Sequence, residues 1–448
     1  MSFFDIFKES SPLPPITNPS EQNRLYRYWR LRILYAMYIG YAVYYLTRGT
    51  LAITMPHLKQ LGYDEVYLGW MITLFQISYG ISKFANGILA DRTNPKFFMA
   101  IGIFLSGAVS IFFGFTNSII SFCIFWVLNG WFQGFGSAPC HKLLSYWYSR
   151  SERGRWWSIW NTSHNAGAAL LPLLGAFFLT RFGWQSVMIV PGAIAIVTGL
   201  FLLNRLRDTP ESMGLPSIET FKGDPDELEC KHAREKKASI KEILWKNVLK
   251  NKWVWILSIS YFMVYVIRWT ISNWAFHFLV DSRNFEIWMA AKCIMWYEIG
   301  GFVGGIAAGY LSDLVFKGNR PIVNFIFFLG MIPSIYAFSL LSSQTSFSPL
   351  ILIIMALMGF FIFGPQMLLA VHAVEICGKQ ASATSVGFLG IIAYLGSAVT
   401  GGPLGYLVKH SGWENVFFLL TICTILASIT TLPFIIFKQK ETKIGARI

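Results

Sequence analysis

Tyr41-Ala42-Val43-Tyr44-Tyr45-Leu46-Thr47-Arg48 lies inside an apolar run from residue 33 to 55. Tyr261-Phe262-Met263-Val264-Tyr265-Val266-Ile267-Arg268 lies inside another, from 253 to 280. Each stretch ends in an Arg with a Tyr three and seven residues before it, and the two Arg are 220 positions apart. About 20 predominantly apolar residues suffice for a helix to cross a bilayer. An Arg within such a span costs at least about 2.5 to 3.5 kcal/mol on insertion scales. Two of them at matched positions require a shared reason.

Working outward, breaks in the apolar pattern at polar clusters divide the chain into twelve candidate spans. The first six run over 33–55, 66–89, 97–115, 119–141, 157–179 and 185–204, and the second six over 253–280, 286–311, 321–341, 348–373, 382–407 and 414–437. The composition agrees: of 448 residues 54% are hydrophobic and only 13% charged, against about 25% charged in soluble domains. These figures exclude a soluble globular protein and a disordered chain. The six Cys show no spacing pattern and read as small core hydrophobes rather than a disulfide framework.

The formal charge of +14 would suggest a nucleic-acid partner in a soluble protein. Here 29 of the 37 basic residues fall in the tails and alternate loops of one side, the bias expected of cytoplasmic loops. Both ends are therefore expected inside, and no nucleic acid is implied. No cleavable signal precedes the first span, because residues 1–29 are polar and contain Pro12, Pro14 and Pro15. The expected organisation is a cytoplasmic tail (1–32), a six-helix half (33–204), a charged cytoplasmic linker (205–252), a second six-helix half (253–437) and a short cytoplasmic tail (438–448).

The halves echo one another at nearly constant offset. Gly87, Asp91 and Arg92 are followed by Lys96, and Gly309 and Asp313 by Lys317 and Arg320. Phe182-Gly183-Trp184 is answered by Ser411-Gly412-Trp413. Gly permits close helix approach, and an acid at a helix end can pair with basic groups of neighbouring helices. Two six-span halves in parallel repeat, joined by a long connection, are the layout of a major-facilitator transporter, whose substrate site lies near the midplane. The expected fold class is all-α, with twelve transmembrane helices in two parallel-repeat halves.

Residues at i, i+4 and i+7 share a helix face, so each half is expected to present one Arg above a ladder of Tyr hydroxyls. Tyr41, Tyr44 and Tyr45 serve Arg48; Tyr261 and Tyr265 serve Arg268. Only Glu298 lies clearly inside a span, with Glu375 near an end. The acids cannot neutralise Arg48, Lys83, Arg268 and Lys292 together, so the cavity is expected to await an anion. A guanidinium fork suits phosphate oxygens, and two forks from opposite halves can grip one dianion. His164 lies in a polar cluster with Asn161 and Asn165; it can donate to a phosphate oxygen, or be a structural His held by those Asn. Lys83, one turn after Tyr79, either adds positive potential or pairs with an acid.

The residues already quoted, with Ser78-Tyr79-Gly80-Ile81-Ser82-Lys83-Phe84, Trp160 through Asn165 and Gly364-Pro365-Gln366-Met367-Leu368, resemble the organophosphate:phosphate antiporters across essentially all spans. The resemblance implies exchange of a phosphorylated sugar or glycerol for inorganic phosphate across a bacterial inner membrane. It places phosphate binding on Arg48 and Arg268. It places Lys83, His164, Tyr41, Tyr45, Tyr79 and Tyr394 along the site, beside Tyr265, Asn161 and Glu298 from the reading above.

Where glycerol-phosphate members carry a Lys after the first Arg and an Asp five residues after the second, this chain has Gly49 and Asn273. Where dedicated hexose-phosphate importers carry an acid and a Lys in the eleventh span, it has Val386 and Leu389. Phe388-Leu389-Gly390 and Ala393-Tyr394-Leu395 look closer to the hexose-phosphate sensor branch. The expected substrate is a hexose 6-phosphate such as glucose 6-phosphate. The alternatives are a membrane sensor with little transport and a glycerol-3-phosphate antiporter. A proton-coupled carrier wants more cavity acids than Glu298. No nucleophile triad, metal cluster or phosphate loop marks an enzyme, and no cofactor or metal is expected. Beyond phosphate esters, inorganic phosphate and the lipid bilayer no partner is implied, and a monomer suffices.

Overall fold

The computed structural model describes residues 10–223, 244–342, 349–377 and 382–445. The described residues are helical, with no β-strand. In chain order the helices are α1 (Pro19–Arg48), α2 (Thr50–Gln60), α3 (Glu65–Arg92), α4 (Pro95–Gly114), α5 (Ile119–Gln133), α6 (Ser137–Trp147), α7 (Arg150–Phe182) and α8 (Trp184–Arg205). A short α9 (Ile218–Lys222) precedes α10 (Lys252–His277), α11 (Ile287–Tyr310), α12 (Arg320–Ser342), α13 (Leu350–Cys377), α14 (Ser382–Val399) and α15 (Gly402–Gly445). Eight stretches are long and apolar enough to cross a membrane by length and composition. They contain nine of the twelve expected spans, because Ser385–Ile436 holds two. The other three expected spans coincide with α1–α2, α3 and α11, where charged and polar residues dilute the hydropathy.

Several boundaries follow from local chemistry. Asn18, Asn94 and Asn251 each stand at an N-cap and accept the backbone N–H two residues on, which satisfies a donor that the first helical turn leaves orphaned. Pro19 and Pro95 occupy the first helical position, where the missing N–H costs nothing. The Gly-Trp pairs repeated between halves are helix junctions. Gly183 and Gly412 both have φ near +80° with extended ψ, a conformation that only Gly adopts without strain.

Three spans that read as continuous are broken in the structure. The first breaks at Gly49 between α1 and α2, the fourth between α5 and α6, and the eleventh between α14 and α15. Backbone groups freed at such breaks need partners inside a membrane, and they have them. Asn129 Nδ2 donates to the Thr47 carbonyl at 3.0 Å. Trp274 Nε1 donates to the Thr400 carbonyl and Thr73 Oγ1 to that of Ala398, each at 2.6 Å.

The chain divides into two compact units. One comprises Met1–Thr50, Ser78–Leu171 and Gly183–Lys237; the other comprises Leu51–Ile77, Pro172–Phe182 and Ala238–Ile448. The second unit therefore takes in α2, the first half of α3 and the end of α7. In the first unit, the start of the charged stretch after α8 folds back onto the N-terminal segment. Leu13 N–H donates to the Glu211 carbonyl at 3.0 Å, Ile16 N–H to Gly214 at 2.8 Å, and the Tyr26 ring stacks on Phe221 at 4.0 Å.

Candidate functional site

In the first unit Arg48 is the last residue of α1 and only 7% exposed. Its guanidinium carbon lies 4.1 Å from the centre of the Tyr79 ring and 5.4 Å from that of Tyr45, a cation–π cradle that compensates part of its desolvation. The Tyr45 ring stands 5.6 Å from Tyr41 and 5.5 Å from His164, and Tyr41 packs 4.8 Å from Trp160. Arg48, Tyr41, Tyr45, Tyr79 and His164 thus form one connected group. Asn161 and Lys83 are exposed on α7 and α3.

Tyr44 does not join this face. It is 1% exposed, and its hydroxyl donates to the Met99 carbonyl at 3.0 Å. Consecutive helical residues are about 100° apart, so Tyr44 and Tyr45 flank Arg48 on opposite sides, and the Tyr44 side is the one that packs on α4.

Close helix approach sets the position of α7. A Cβ on Gly167 would lie 2.2 Å from the Ala42 carbonyl oxygen and 3.0 Å from Tyr45 Cβ. This contact is available only to Gly and brings His164 to Tyr45. Behind Arg48 a buried polar network holds the end of α1. Gln133 Nε2 donates to Thr47 Oγ1 at 2.9 Å, Ser106 Oγ donates to Asn129 Oδ1 at 2.7 Å, and Asn129 caps the Thr47 carbonyl. Sequence reasoning missed these residues, since isolated Asn and Gln within a span look like any tolerated polar residue. It also missed His141, whose ring packs at a tilt against Trp157 at 4.1 Å and lies within electrostatic reach of Lys83. The available signal was Cys140-His141-Lys142, where the apolar pattern ends.

In the second unit Arg268 is 5% exposed on α10, its guanidinium carbon 4.3 Å from the Phe363 ring centre and 5.4 Å from that of Trp269. Tyr265 contacts Tyr261 with ring centres at 4.8 Å and hydroxyls at 3.5 Å, and meets the Tyr394 ring edge-on at 5.7 Å. Glu298 is buried on α11, and both it and Arg268 act electrostatically on the neighbouring Tyr297. α11 and α13 touch backbone to backbone: a Cβ on Gly359 would meet the Tyr297 carbonyl oxygen at 1.9 Å, and one on Gly304 the Phe360 carbonyl oxygen at 2.1 Å. That contact fixes Glu298 and Phe363 on one rigid pair.

The loop cluster of the second half is built as an ion-pair junction. Arg320 donates to Asp313 at 2.7 Å and to Glu375 at 2.9 Å, joining the ends of α11, α12 and α13. The side chains of the first-half counterparts Gly87, Asp91 and Arg92 lie outside the described residues. Beside them, buried Lys142 donates to the carbonyls of Ala90 at 3.3 Å and Thr93 at 2.9 Å, a cation at the carbonyl end of α3.

Helices long and apolar enough to cross a membrane, with a buried Arg in each unit, point to a membrane carrier. Residues 37–401 match the Major Facilitator Superfamily, and the chain belongs to that family of transporters, which are not enzymes. Within it the relatives lie in the organophosphate:phosphate antiporter branch. A probable hexose phosphate transport protein of Chlamydia pneumoniae is 41% identical, over 98% of each chain. The membrane sensor protein UhpC of Escherichia coli K12 is 38% identical, over 96% of this chain and 97% of its own. The glycerol-3-phosphate transporter of Bacillus subtilis is 35% identical, over 95% and 96%. Among solved structures, a D-xylose–proton symporter superposes with a TM-score of 0.67 at 14% identity, covering 90% of this chain and 97% of that one, a likeness of fold alone.

Proposed function

We propose that this protein exchanges a hexose 6-phosphate, such as glucose 6-phosphate, for inorganic phosphate by alternating access. The observation that carries this reading is the repetition of one chemical device. Arg48 in one unit and Arg268 in the other are each buried among aromatic rings, with Tyr45 and Tyr265 three residues before them. Each half supplies one guanidinium fork for phosphate oxygens, and Lys83, His164, Asn161, Tyr41, Tyr79, Tyr394 and Glu298 line the path. The cytoplasmic bias of basic residues supports an inner-membrane protein with both termini inside. It also supports the division at 205–252 into two halves, a monomer being sufficient.

Closing a dry site over two guanidinium groups carries at least the roughly 5 to 7 kcal/mol implied by two such insertions, less whatever trapped water returns. A phosphate dianion offsets that charge and draws both groups together. Empty return is then slow and loaded return fast in both directions, which is obligatory exchange.

The sugar rests on Gly49 and Asn273, which stand where the glycerol-phosphate pattern has a Lys and an Asp, and on the 41% identity to a relative named for hexose phosphate. The similarity to UhpC supports a second reading, a receptor that binds the same ester and transports little. Phosphate counterflow in proteoliposomes, challenged with glucose 6-phosphate and glycerol 3-phosphate, tests both. Strong exchange driven by glucose 6-phosphate is expected. Ester binding without counterflow selects the receptor, and preference for glycerol 3-phosphate overturns the substrate.

A further inference from the structure

In the second unit, four chemistry-bearing side chains converge from three separate stretches of the sequence. Lys59 ends α2, Glu65 begins α3, and His277 and Asp281 lie at the end of α10 and in the turn after it. Lys59 Nζ stands 2.6 Å from Glu65 Oε1 and 2.8 Å from Asp281 Oδ2. His277 is completely buried between the Trp274 and Trp413 rings. Its Nε2 faces the two acids at 3.9 Å from each.

Two carboxylates against one ammonium leave one negative charge uncompensated when the imidazole is neutral. The adjacent Asp64 is already paired with Lys409 at 2.6 Å and adds none. Among the described residues, Glu65, His277 and Asp281 form the single group of three metal-ligating side chains whose donor atoms all lie within 4.8 Å of one another. Tetrahedral zinc with ligand bonds of about 2.0 to 2.1 Å places its ligand atoms about 3.3 Å apart. The His–acid gaps need to contract by only about 0.6 Å to meet this, once the ammonium between the acids withdraws. Lys59 is the one long, flexible member of the group and has 35% of its side chain exposed, so it can withdraw.

We propose that Glu65, His277 and Asp281 form a binding site for a divalent transition-metal ion of the zinc class, which enters by displacing the Lys59 ammonium. The mixed nitrogen and oxygen donors suit zinc and disfavour magnesium, which takes oxygen ligands in near-octahedral order. The ligands come from two parts of the unit whose other links are a close backbone approach, hydrogen bonds and the Lys409–Asp64 ion pair. Gly69 packs against the Gly401 backbone and Thr73 against Ala398 and Gly402. A carrier that opens on this side must separate segment 51–77 from α10 and α14. A bound metal ties them together, so zinc on that side arrests exchange. The arrest, unlike the binding, rests on the transport reading above.

The test is isothermal titration of zinc chloride into the purified, detergent-solubilised full-length protein, with magnesium chloride as control. One zinc per chain at micromolar affinity is expected, with no magnesium uptake. Asp281→Asn is expected to weaken zinc at least tenfold and Lys59→Met to tighten it about tenfold, both being checked for a monodisperse size-exclusion profile. If Lys59→Met does not stay monodisperse, His277→Gln serves in its place, and loss of zinc binding is expected. Zinc binding equal in wild type and Asp281→Asn overturns the site, as does absence of zinc binding. In proteoliposomes, external zinc is expected to slow wild-type counterflow and to leave any counterflow of Asp281→Asn unaffected. Zinc binding without counterflow under any condition refutes the transport reading and not the site.

Discussion

Asn129 on α5 donates its side-chain N–H to the main-chain carbonyl of Thr47, the residue before Arg48, at 3.0 Å. The break in the first span at Gly49 frees that carbonyl, which accepts from Asn129 and, at 3.4 Å, from Thr50 Oγ1, while Ser106 and Gln133 hold the Thr47 hydroxyl. The direction in which Arg48 leaves α1 is set from behind. Asn129→Leu leaves that buried carbonyl only the long bond from Thr50 Oγ1, at a cost of about 1 kcal/mol. Thermal unfolding in detergent is expected to shift down, and phosphate affinity to weaken with it. An unchanged melting temperature and exchange rate would show that the break does not need this cap.

Arg48→Lys and Arg268→Lys test the two-fork proposal. An ammonium keeps the charge but loses the planar pair of donors, so both variants are expected to insert normally and lose counterflow by a factor of at least 100. Wild-type-like exchange in either removes that Arg from the clamp.

Tyr44 and Tyr45 are neighbours in sequence with opposite duties. Tyr44→Phe loses a buried hydrogen bond to Met99 and is expected to lower stability by about 1 kcal/mol with ester affinity unchanged. Tyr45→Phe, facing Arg48 and His164, is expected to do the reverse. Melting curves and competition binding on the same preparations separate them.

Gly167 and Gly359 carry helix–helix contacts too close for any Cβ. Gly167→Ala and Gly359→Ala are expected to reduce the yield of monodisperse protein by forcing apart α7 from α1 and α11 from α13. Gly305→Ala, where the added carbon meets nothing within 4 Å, is the matched control and is expected to behave as wild type.

Glu152 at the start of α7 pairs with Arg30 at 2.5 Å in the first unit. Burial pushes its carboxyl up, but hydrogen bonding and attraction to Arg30 outweigh it and hold the carboxyl below the ordinary Glu range. A depressed folded-state value means that the pair's contribution is complete above the ordinary Glu value of about 4.3. It is lost as pH falls through the lower folded value. Wild type is expected to melt above Glu152→Gln at pH 7, and the gap to shrink below about pH 4. A gap independent of pH assigns the effect to packing alone.

The positions of the spans were legible in the sequence, because crossing a bilayer depends on about 20 consecutive residues being apolar, a property of the chain one segment at a time. So was the oddity of Arg48 and Arg268, because the cost of a buried charge does not depend on knowing its neighbours. Gly183 and Gly412 were visible as a repeat, but that both are helix junctions with φ near +80° came from the structure. The breaks at Gly49 and beside Thr400 were not visible, because a broken helix survives only where a distant Asn129, Trp274 or Thr73 takes the freed carbonyl. The division of duty between Tyr44 and Tyr45 depended on which flank of α1 meets α4. Glu65 lies more than 200 residues from the i, i+4 pair His277 and Asp281, so only the packing of α2 and α3 against α10 makes them a cluster. Local hydropathy determined where this protein crosses the membrane; the satisfaction of each buried polar group by residues remote in sequence decided what it presents there.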